Sequence, residues 1–361
     1  MESEPLLITQ NLRALGAKQD DLDLFEELLK DLEPSAGARI ARVARAERAA
    51  LNLLVSADAG VDAPLPSAAE AVVGDWVIFK QGADGMANVI GVVPRRNAIV
   101  RRSSGGRSGS QILAANIDNV VIAISSDQPI NQARVERMLA LAWESGAEPV
   151  VALTKAELLD AADRTSALEA LAAVTLGTAV VAISVVASFG ITELLDAVFP
   201  GGTIALLGLS GAGKSTLMNT LTDQTVARTA AVRASDHKGR HVTAWRELVC
   251  MPRGGAIIDT PGLRQLGLWI DRIGLRATFA DVDEVATKCR FSDCTHHREP
   301  GCAVAAAVLA GTLDLRRVDH YEKLKHEVEA FENQADPPLW SRGRGRSPRR
   351  PRDEIPPFDL D

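Results

Sequence analysis

The spacing of hydrophobic positions along this chain changes several times, and each change marks a different kind of structure. Residues 1–33 alternate acidic and apolar positions, as in DDLDLFEELLKDLE, which predicts a short amphipathic helix. From Ala36 to about Arg102 the pattern shifts to short strand-like runs, ARIARVAR, ALNLLVS, GDWVIFK, NVIGVVP and AIVRR, separated by turns rich in Gly, Asp and Pro. About five such strands in so short a stretch predict a small β-barrel of the OB type, a common RNA-binding platform. From Asn116 to about Trp269 strand and helix patterns alternate: NVVIAIS, ARVERMLALAWES, PVVALT, AVVAIS, ITELLDAV, TIALLG, STLMNTL and AIIDT. That alternation predicts a parallel sheet with helices on both faces, and ligands at the carboxyl ends of its strands. Beyond it, AVAAAVLAGTLDLRRVDHYEKLKHEVEAFEN predicts two helices joined near Gly311–Asp314. The organisation expected is therefore an N-terminal helical extension over 1–35, an OB-fold over 36–105, an α/β domain over 110–275, a cysteine-bearing helical domain over 276–335 and an arginine- and proline-rich disordered tail over 336–361.

Chemistry falls where the α/β pattern expects it. Residues Gly208 to Ser215 match G-x-x-x-x-G-K-[ST], directly after the strand pattern TIALLG and before the helical STLMNTL. In that context successive backbone N–H groups and a helix N-terminus wrap a phosphate chain. Lys214 would reach the β/γ oxygens and Ser215 would ligate Mg²⁺ through its hydroxyl. The DTPG of Asp259 to Gly262, after the strand AII, suits a switch that senses the terminal phosphate and holds the metal. The base-reading residues of a GTPase would ordinarily follow, but only a short stretch separates Gly262 from the cysteines. Upstream, VVALTKAELL places Thr154, Lys155, Ala156 and Glu157 after one strand, and Ser184 follows another, AVVAIS. The order is base, base, phosphate, switch: a circular permutation.

Composition narrows the setting. At 361 residues with 46% hydrophobic content the chain can bury a large core without staples. No apolar run approaches a membrane span, and the acidic start MESEPLL is no secretory signal, so a cytoplasmic protein without membrane attachment is expected. The net charge of −7 argues against nucleic-acid binding over the whole surface and leaves room for local basic patches. Arg95, Arg96, Arg101, Arg102 and Arg107, with no acid among them, suggest a cationic loop for phosphates. Three of the four cysteines crowd into CRFSDCTHHREPGC, where Cys289, Cys294, His296 and Cys302 have the types and spacing of a Cys₃His zinc site. His297 competes with His296, which leaves the better loop before the last cysteine. Cys250, alone in ELVCMP, reads as a core thiol, and SRGRGRSPRRPR reads as a disordered arginine-rich segment suited to RNA.

These motifs together resemble the RsgA (YjeQ) family of circularly permuted, ribosome-dependent GTPases. The resemblance covers roughly residues 36–332 and rests on GDWV, QILAANIDNV, GLSGAGKST, KGRHVTAWREL, DTPGLRQLGLW and CRFSDCTHHREPGCAV. It implies an N-terminal OB-fold, a central permuted GTPase and a C-terminal zinc domain. It further implies late maturation of the small ribosomal subunit, contact with its rRNA, and GTP hydrolysis to GDP stimulated by that subunit. By motif, Gly208, Leu209, Ser210, Gly211, Ala212, Gly213, Lys214, Ser215 and Thr216 would hold the phosphates and Mg²⁺. Thr154, Lys155, Ala156, Glu157 and Ser184 would read the base, with Asp259 and Gly262 in the second switch. Thr243 would be the first switch's threonine and His241, in GRH, the group that orients water, because Leu263 after DTPG cannot accept a hydrogen bond. Two departures stand out: the base-reading motif ends in Glu157 where the family has Asp, and GRHVTA replaces GRHTTT. A monomer that binds no DNA is expected. Two other readings compete, a P-loop ATPase or kinase and an RNA-binding scaffold with a structural nucleotide.

Overall fold

The computed structural model describes residues 4–30, 37–47, 49–64, 71–82, 85–101, 111–223, 247–259, 270–296 and 299–332. The N-terminal segment forms two helices, α1 (Glu4–Ala14) and α2 (Gln19–Lys30), where the acidic–apolar pattern predicts one. Gly16 sits at φ +95°, a conformation that ends a helix, and the Asp21 carboxylate accepts the Lys18 N–H at 2.9 Å to start the next.

Five strands follow: β1 (Ala38–Ala46), β2 (Ala50–Leu54), β3 (Gly60–Pro64), β4 (Trp76–Gln81) and β5 (Ala87–Val92). They form an antiparallel sheet in the order β3-β2-β1-β4-β5, and its two edges approach each other to curl it around Val43, Leu51, Leu53, Val77 and Phe79. The expected strand count is right but one member differs. GVDAP, with an exposed, Pro-ended pattern that does not alternate, supplies β3. The segment AIVR becomes β6 (Ala98–Arg101), which leaves the sheet to pair with β7 (Gln111–Ala115) in a separate ribbon.

The central sheet has six strands: β8 (Asn119–Ser125), β9 (Glu148–Thr154), β10 (Ala179–Ala182), β11 (Thr203–Gly208), β12 (Glu247–Cys250) and β13 (Ala256–Asp259). Their order is β10-β9-β8-β11-β13-β12, all parallel except β12. β11 is buried throughout and β9 almost so, because helices cover both faces. These helices are α3 (Gln132–Glu144), α4 (Ala161–Val174), α5 (Ile191–Ala197) and α6 (Lys214–Thr222). α4 escapes the pattern reading because its alanines spread around the helix and leave no apolar stripe. The C-terminal helices are α7 (Arg272–Thr278), α8 (Ala280–Ala286), α9 (Ala303–Leu309) and α10 (Leu315–Glu332), the last two as expected.

Buried charges join these units. Arg42, fully buried in β1, stacks on Trp76 at 4.7 Å and donates to the carbonyls of Leu15, Gly74 (3.3 Å) and Asn116 (3.0 Å). One guanidinium thus ties the helical pair, the antiparallel sheet and the entry to β8, and burial lowers its pKa to about 10. Beside it Asp118 accepts Arg96 at 2.8 Å, Lys18 at 2.6 Å and the Thr203 N–H at 2.7 Å. In a second cluster Arg317 of α10 pairs with Glu136 of α3 (2.9 Å) and Asp281 of α8 (2.7 Å), while His320 meets Glu136 at 2.6 Å. The arginines expected to form a phosphate-binding loop divide. Arg95 is committed to Asp75 (2.7 Å) and Arg96 to Asp118 and Asp21, so both hold the fold together. Arg102 and Arg107 lie outside the described residues.

Burial raises the Asp118 pKa, but the hydrogen bonds and charges of Arg96 and Lys18 and the Thr203 N–H outweigh it and hold the carboxyl below its ordinary range. A depressed folded pKa gives stability that is present above the unfolded value of about 3.9 and lost as pH falls through the folded value. Denaturant titrations should therefore show Asp118→Asn destabilised at pH 7, with the gap to wild type closing below about pH 4. Equal loss at both pH values would remove the ionised carboxylate from this joint.

Candidate nucleotide site and metal centre

β11 ends at Gly208, where φ is +148° and an added Cβ would lie 2.5 Å from the Ala123 carbonyl of β8. The loop that follows also turns at Gly211 (φ +81°) and Gly213 (φ +77°), conformations cheap only for glycine. It delivers Lys214, Ser215 and Thr216 to the first turn of α6, with the two hydroxyl residues exposed and Lys214 buried. The Lys214 ammonium donates to the carbonyls of Gly208 (2.7 Å) and Leu209, so its charge is held inside the loop. A loop of N–H groups, a helix N-terminus and a lysine form a cradle for phosphate. Asp259 ends the neighbouring parallel strand β13, on the same side of the sheet.

The loops expected to read the base meet this cradle. The Thr154 hydroxyl, at the end of β9, lies 3.0 Å from the Ala212 carbonyl of the phosphate loop and 3.2 Å from that of Ile124. Lys155 adopts φ +55° and pairs with Asp127 at 2.6 Å, lowering that carboxyl's pKa, while the Ser126 hydroxyl donates to the Lys155 carbonyl at 2.6 Å. The Ala156 N–H donates to Ile183 at 3.1 Å, which brings in the Ser184 loop. That loop is pinned by backbone bonds between Ser184 and Phe189 and by the Ala187 N–H on the Ser184 hydroxyl. Glu157 stands on the 3₁₀ turn Ala156–Leu158, and its Oε2 is buried with no hydrogen-bond partner. An unpaired buried carboxylate oxygen beside a phosphate cradle fits a ligand that brings its own N–H donors. Asp127 and Ser126 escaped the sequence reading; the available signal was a polar SSDQ turn at the carboxyl end of β8. His241, Thr243 and Gly262 lie outside the described residues.

The metal centre is compact. One ligand atom each from Cys289, Cys294, His296 and Cys302 lies within 4.8 Å of all the others. Sulfur distances of 3.6 and 3.7 Å to His296 Nδ1, from Cys289 and Cys302, sit with 4.0 Å between the two sulfurs. Tetrahedral Zn–S and Zn–N bonds of about 2.3 and 2.0 Å predict separations of about 3.6 and 3.8 Å, so the set fits one structural zinc ion. His296 takes φ +63° to turn inward. Burial opposes ionisation of Cys289, but the N–H groups of Val304 and Ala303 and the neighbouring Cys294 and Cys302 lower its pKa, whereas burial pushes that of Cys294 up to about 11. Cys250, expected in the core, is half-buried at the edge of the N-terminal cluster, and burial pushes its pKa up to about 11.

Comparison with known proteins agrees with this architecture. Residues 92–269 match the RsgA GTPase family model, and residues 203–340 match that of 50S ribosome-binding GTPases. The small ribosomal subunit biogenesis GTPase RsgA of Streptomyces avermitilis is 42% identical over 308 residues, covering 84% of this chain and 83% of its own. Its Streptomyces coelicolor counterpart is 45% identical over 264 residues, covering 73% and 72%. The chain belongs to the RsgA family. The fold agrees: YjeQ from Thermotoga maritima superposes with a TM-score of 0.60 at 24% identity, covering 81% of this chain and 98% of that one. YloQ, described as a circularly permuted GTPase, gives 0.59 at 24% identity, with 81% and 96% covered. RsgA membership and the strand order together account for a phosphate loop that follows β8, β9 and β10 in the chain.

Two outcomes follow for this RsgA chain. Glu157→Asp shortens the carboxylate toward the family residue. It should tighten GDP and GTP by about tenfold, since a well-placed charged hydrogen bond contributes about 1.5–3 kcal/mol. Titration against GDP, GTP and ATP checks this, and unchanged guanine affinity would mean that the loop has adapted to glutamate. Chelating zinc from denatured chain before refolding should leave 289–302 unfolded and lower thermal stability. The metal contributes on the order of 10 kcal/mol in isolated fingers, and the readout is one zinc per chain in the refolded control.

Proposed function

We infer that this chain is a GTPase of small-ribosomal-subunit biogenesis, hydrolysing GTP to GDP and phosphate and waiting for a matured subunit to do so quickly. The observation that carries the reading is the bond between Thr154 and the Ala212 carbonyl. It supports reading the loop that carries Glu157, whose Oε2 is buried without a hydrogen-bond partner, as the base-side neighbour of a phosphate cradle. In this reading Glu157 accepts from the guanine edge, Lys155 and Ser184 flank the base, and Gly208 to Thr216 hold the phosphates. Mg²⁺, which neutralises phosphate charge when bound, would be held by Ser215 and Thr243, with Asp259 behind it. The subunit named for the relatives is the partner proposed here, met through its rRNA by the OB-type sheet and the zinc module. Among the described residues no helix is long and apolar enough to cross a membrane, and the proposed setting is the cytoplasm, as a monomer without DNA.

The intrinsic rate is expected to be slow, because Leu263 stands where a water-orienting side chain would be useful. His241 is assigned that task once its segment is ordered by phosphate and rRNA together. GTP turnover measured with and without small subunits should rise at least severalfold on their addition, and His241→Ala should remove most of the gain while GTP affinity holds. Full subunit-stimulated kcat in the variant would make His241 a contact residue. No stimulation of wild type, or equal turnover of ATP, would overturn the function itself.

A further inference from the structure

β8 runs out into a polar turn whose hydrogen bonds reach the loop after β9. The Ser126 N–H donates to the Thr154 carbonyl at 3.0 Å, and the Ser126 hydroxyl donates to the Lys155 carbonyl at 2.6 Å. The Asp127 carboxylate takes the Lys155 ammonium, also at 2.6 Å. Parallel pairing of Ser125 with Thr154 brings the two segments side by side, and these bonds carry the contact beyond the last paired residues. Lys155 is thus held at both ends, its carbonyl by Ser126 and its ammonium by Asp127.

Stability does not explain this arrangement. The Lys155 and Asp127 side chains are 32% and 36% exposed, and ion pairs so open to water contribute little to folding. Lys155 also takes φ +55°, a left-handed conformation that its β-carbon disfavours and that glycine would adopt freely. The turn it makes has consequences on its far side. The Ala156 N–H meets the Ile183 carbonyl at 3.1 Å, and Glu157 stands on the 3₁₀ turn with its Oε2 buried and unpaired. A strained residue held from several sides marks a place where geometry serves a ligand. Two residues apart stand an acceptor for N–H donors and an aliphatic stem fixed at both ends. Those are the contacts that the edge and the face of a nucleobase call for.

Resting on the function proposed above, we propose that Asp127 is a positioning residue for nucleobase recognition and acts through Lys155. Its carboxylate anchors the ammonium on the β8 turn, so that the flexible four-carbon stem is already stretched when the base arrives. A lysine released from this anchor regains its rotamer freedom. Binding must then freeze the stem again, and affinity falls by that cost. The phosphate cradle is built by other residues, the glycines from Gly208 to Gly213 and the Lys214 ammonium, so it keeps its own affinity. Loss of Asp127 is therefore felt by the base and not by the phosphates.

The test uses the full chain as wild type, Asp127→Ala, Asp127→Asn, Lys155→Ala and the Asp127→Ala, Lys155→Ala double variant. GDP, ADP and inorganic tripolyphosphate, each with Mg²⁺, are titrated against every protein by calorimetry. Tripolyphosphate offers the cradle a phosphate chain without a base. Asp127→Ala should weaken GDP by about fivefold, the upper range for an exposed ion pair, with tripolyphosphate within about twofold of wild type. Asp127→Asn keeps an oxygen acceptor for the ammonium and should recover part of the loss. In the Lys155→Ala background the Asp127 change should cost nothing more, as expected of two residues that act as one. GDP affinity within about twofold of wild type in Asp127→Ala would overturn the proposal. So would an equal loss of tripolyphosphate, which means a damaged cradle, or full additivity with Lys155→Ala, which means a separate role. A wild-type chain that binds ADP as tightly as GDP would defeat the underlying guanine reading instead, and that result is read from the wild-type arm alone.

Discussion

Three adjacent parallel strands, β9, β8 and β11, carry everything else in this molecule. Parallel pairing brings their carboxyl ends to one edge, so loops distant in the chain must meet there. The register is tight: Ser125 pairs with Thr154 and Ala123 with Gly208, which leaves the two loops a single hydrogen bond apart. Chain order is irrelevant to this convergence. A permuted chain builds the same edge as an unpermuted one, because sheet topology and not sequence order decides which loops are neighbours.

Outside the sheet the units are joined by buried guanidinium groups. Arg42 and Arg317 are each almost wholly enclosed, each stacks on an aromatic ring, and each reaches three separate parts of the chain. A buried ion is costly to desolvate, and apolar residues of similar volume would often be as stabilising. What a planar fork of donors adds is geometry: it is satisfied only when every carbonyl and carboxylate around it stands at one position. Such joints set orientation more than they add stability. That is what a GTPase needs if it must present an OB-type sheet and a zinc module at fixed angles.

Much of this was legible in the sequence, for physical reasons that can be named. The buried strands are continuous apolar runs bounded by turn residues, and the phosphate loop and Cys₃His cluster are set by local spacing. GVDAP forms β3 without signalling it, because it neither alternates nor carries bulky residues, and AIVR pairs outside the five-stranded sheet because strand patterns do not name their partners. Arg95 and Arg96 looked like a cationic loop because their partners, Asp75, Asp118 and Asp21, lie on elements distant in sequence. Asp127 is silent in the sequence for the same reason: nothing local connects it to Lys155. Long-range electrostatic pairing is the information that periodicity lacks.

Permutation also has a mechanical consequence. The chain leaving β13 at Asp259 enters α7 at Arg272, and α7 packs on α3 so closely that an added Cβ at Gly274 would lie 2.2 Å from the Ala140 carbonyl. The same α3 carries Glu136 and Arg137, which pair with Arg317 and Glu327 of α10. The phosphate end of the sheet is therefore linked to the zinc module twice, by a short covalent connection and by ion pairs through α3, buried at Glu136–Arg317 and partly exposed at Arg137–Glu327. The first route ends on α7 and the second on α10, and these two helices pack against each other. A displacement at either β13 or the start of α3 must be absorbed within that packed group or passed on as a whole, because close-packed interiors transmit strain. In a chain of unpermuted order the segment after β13 would lead back into the sheet, and only the ion network would remain.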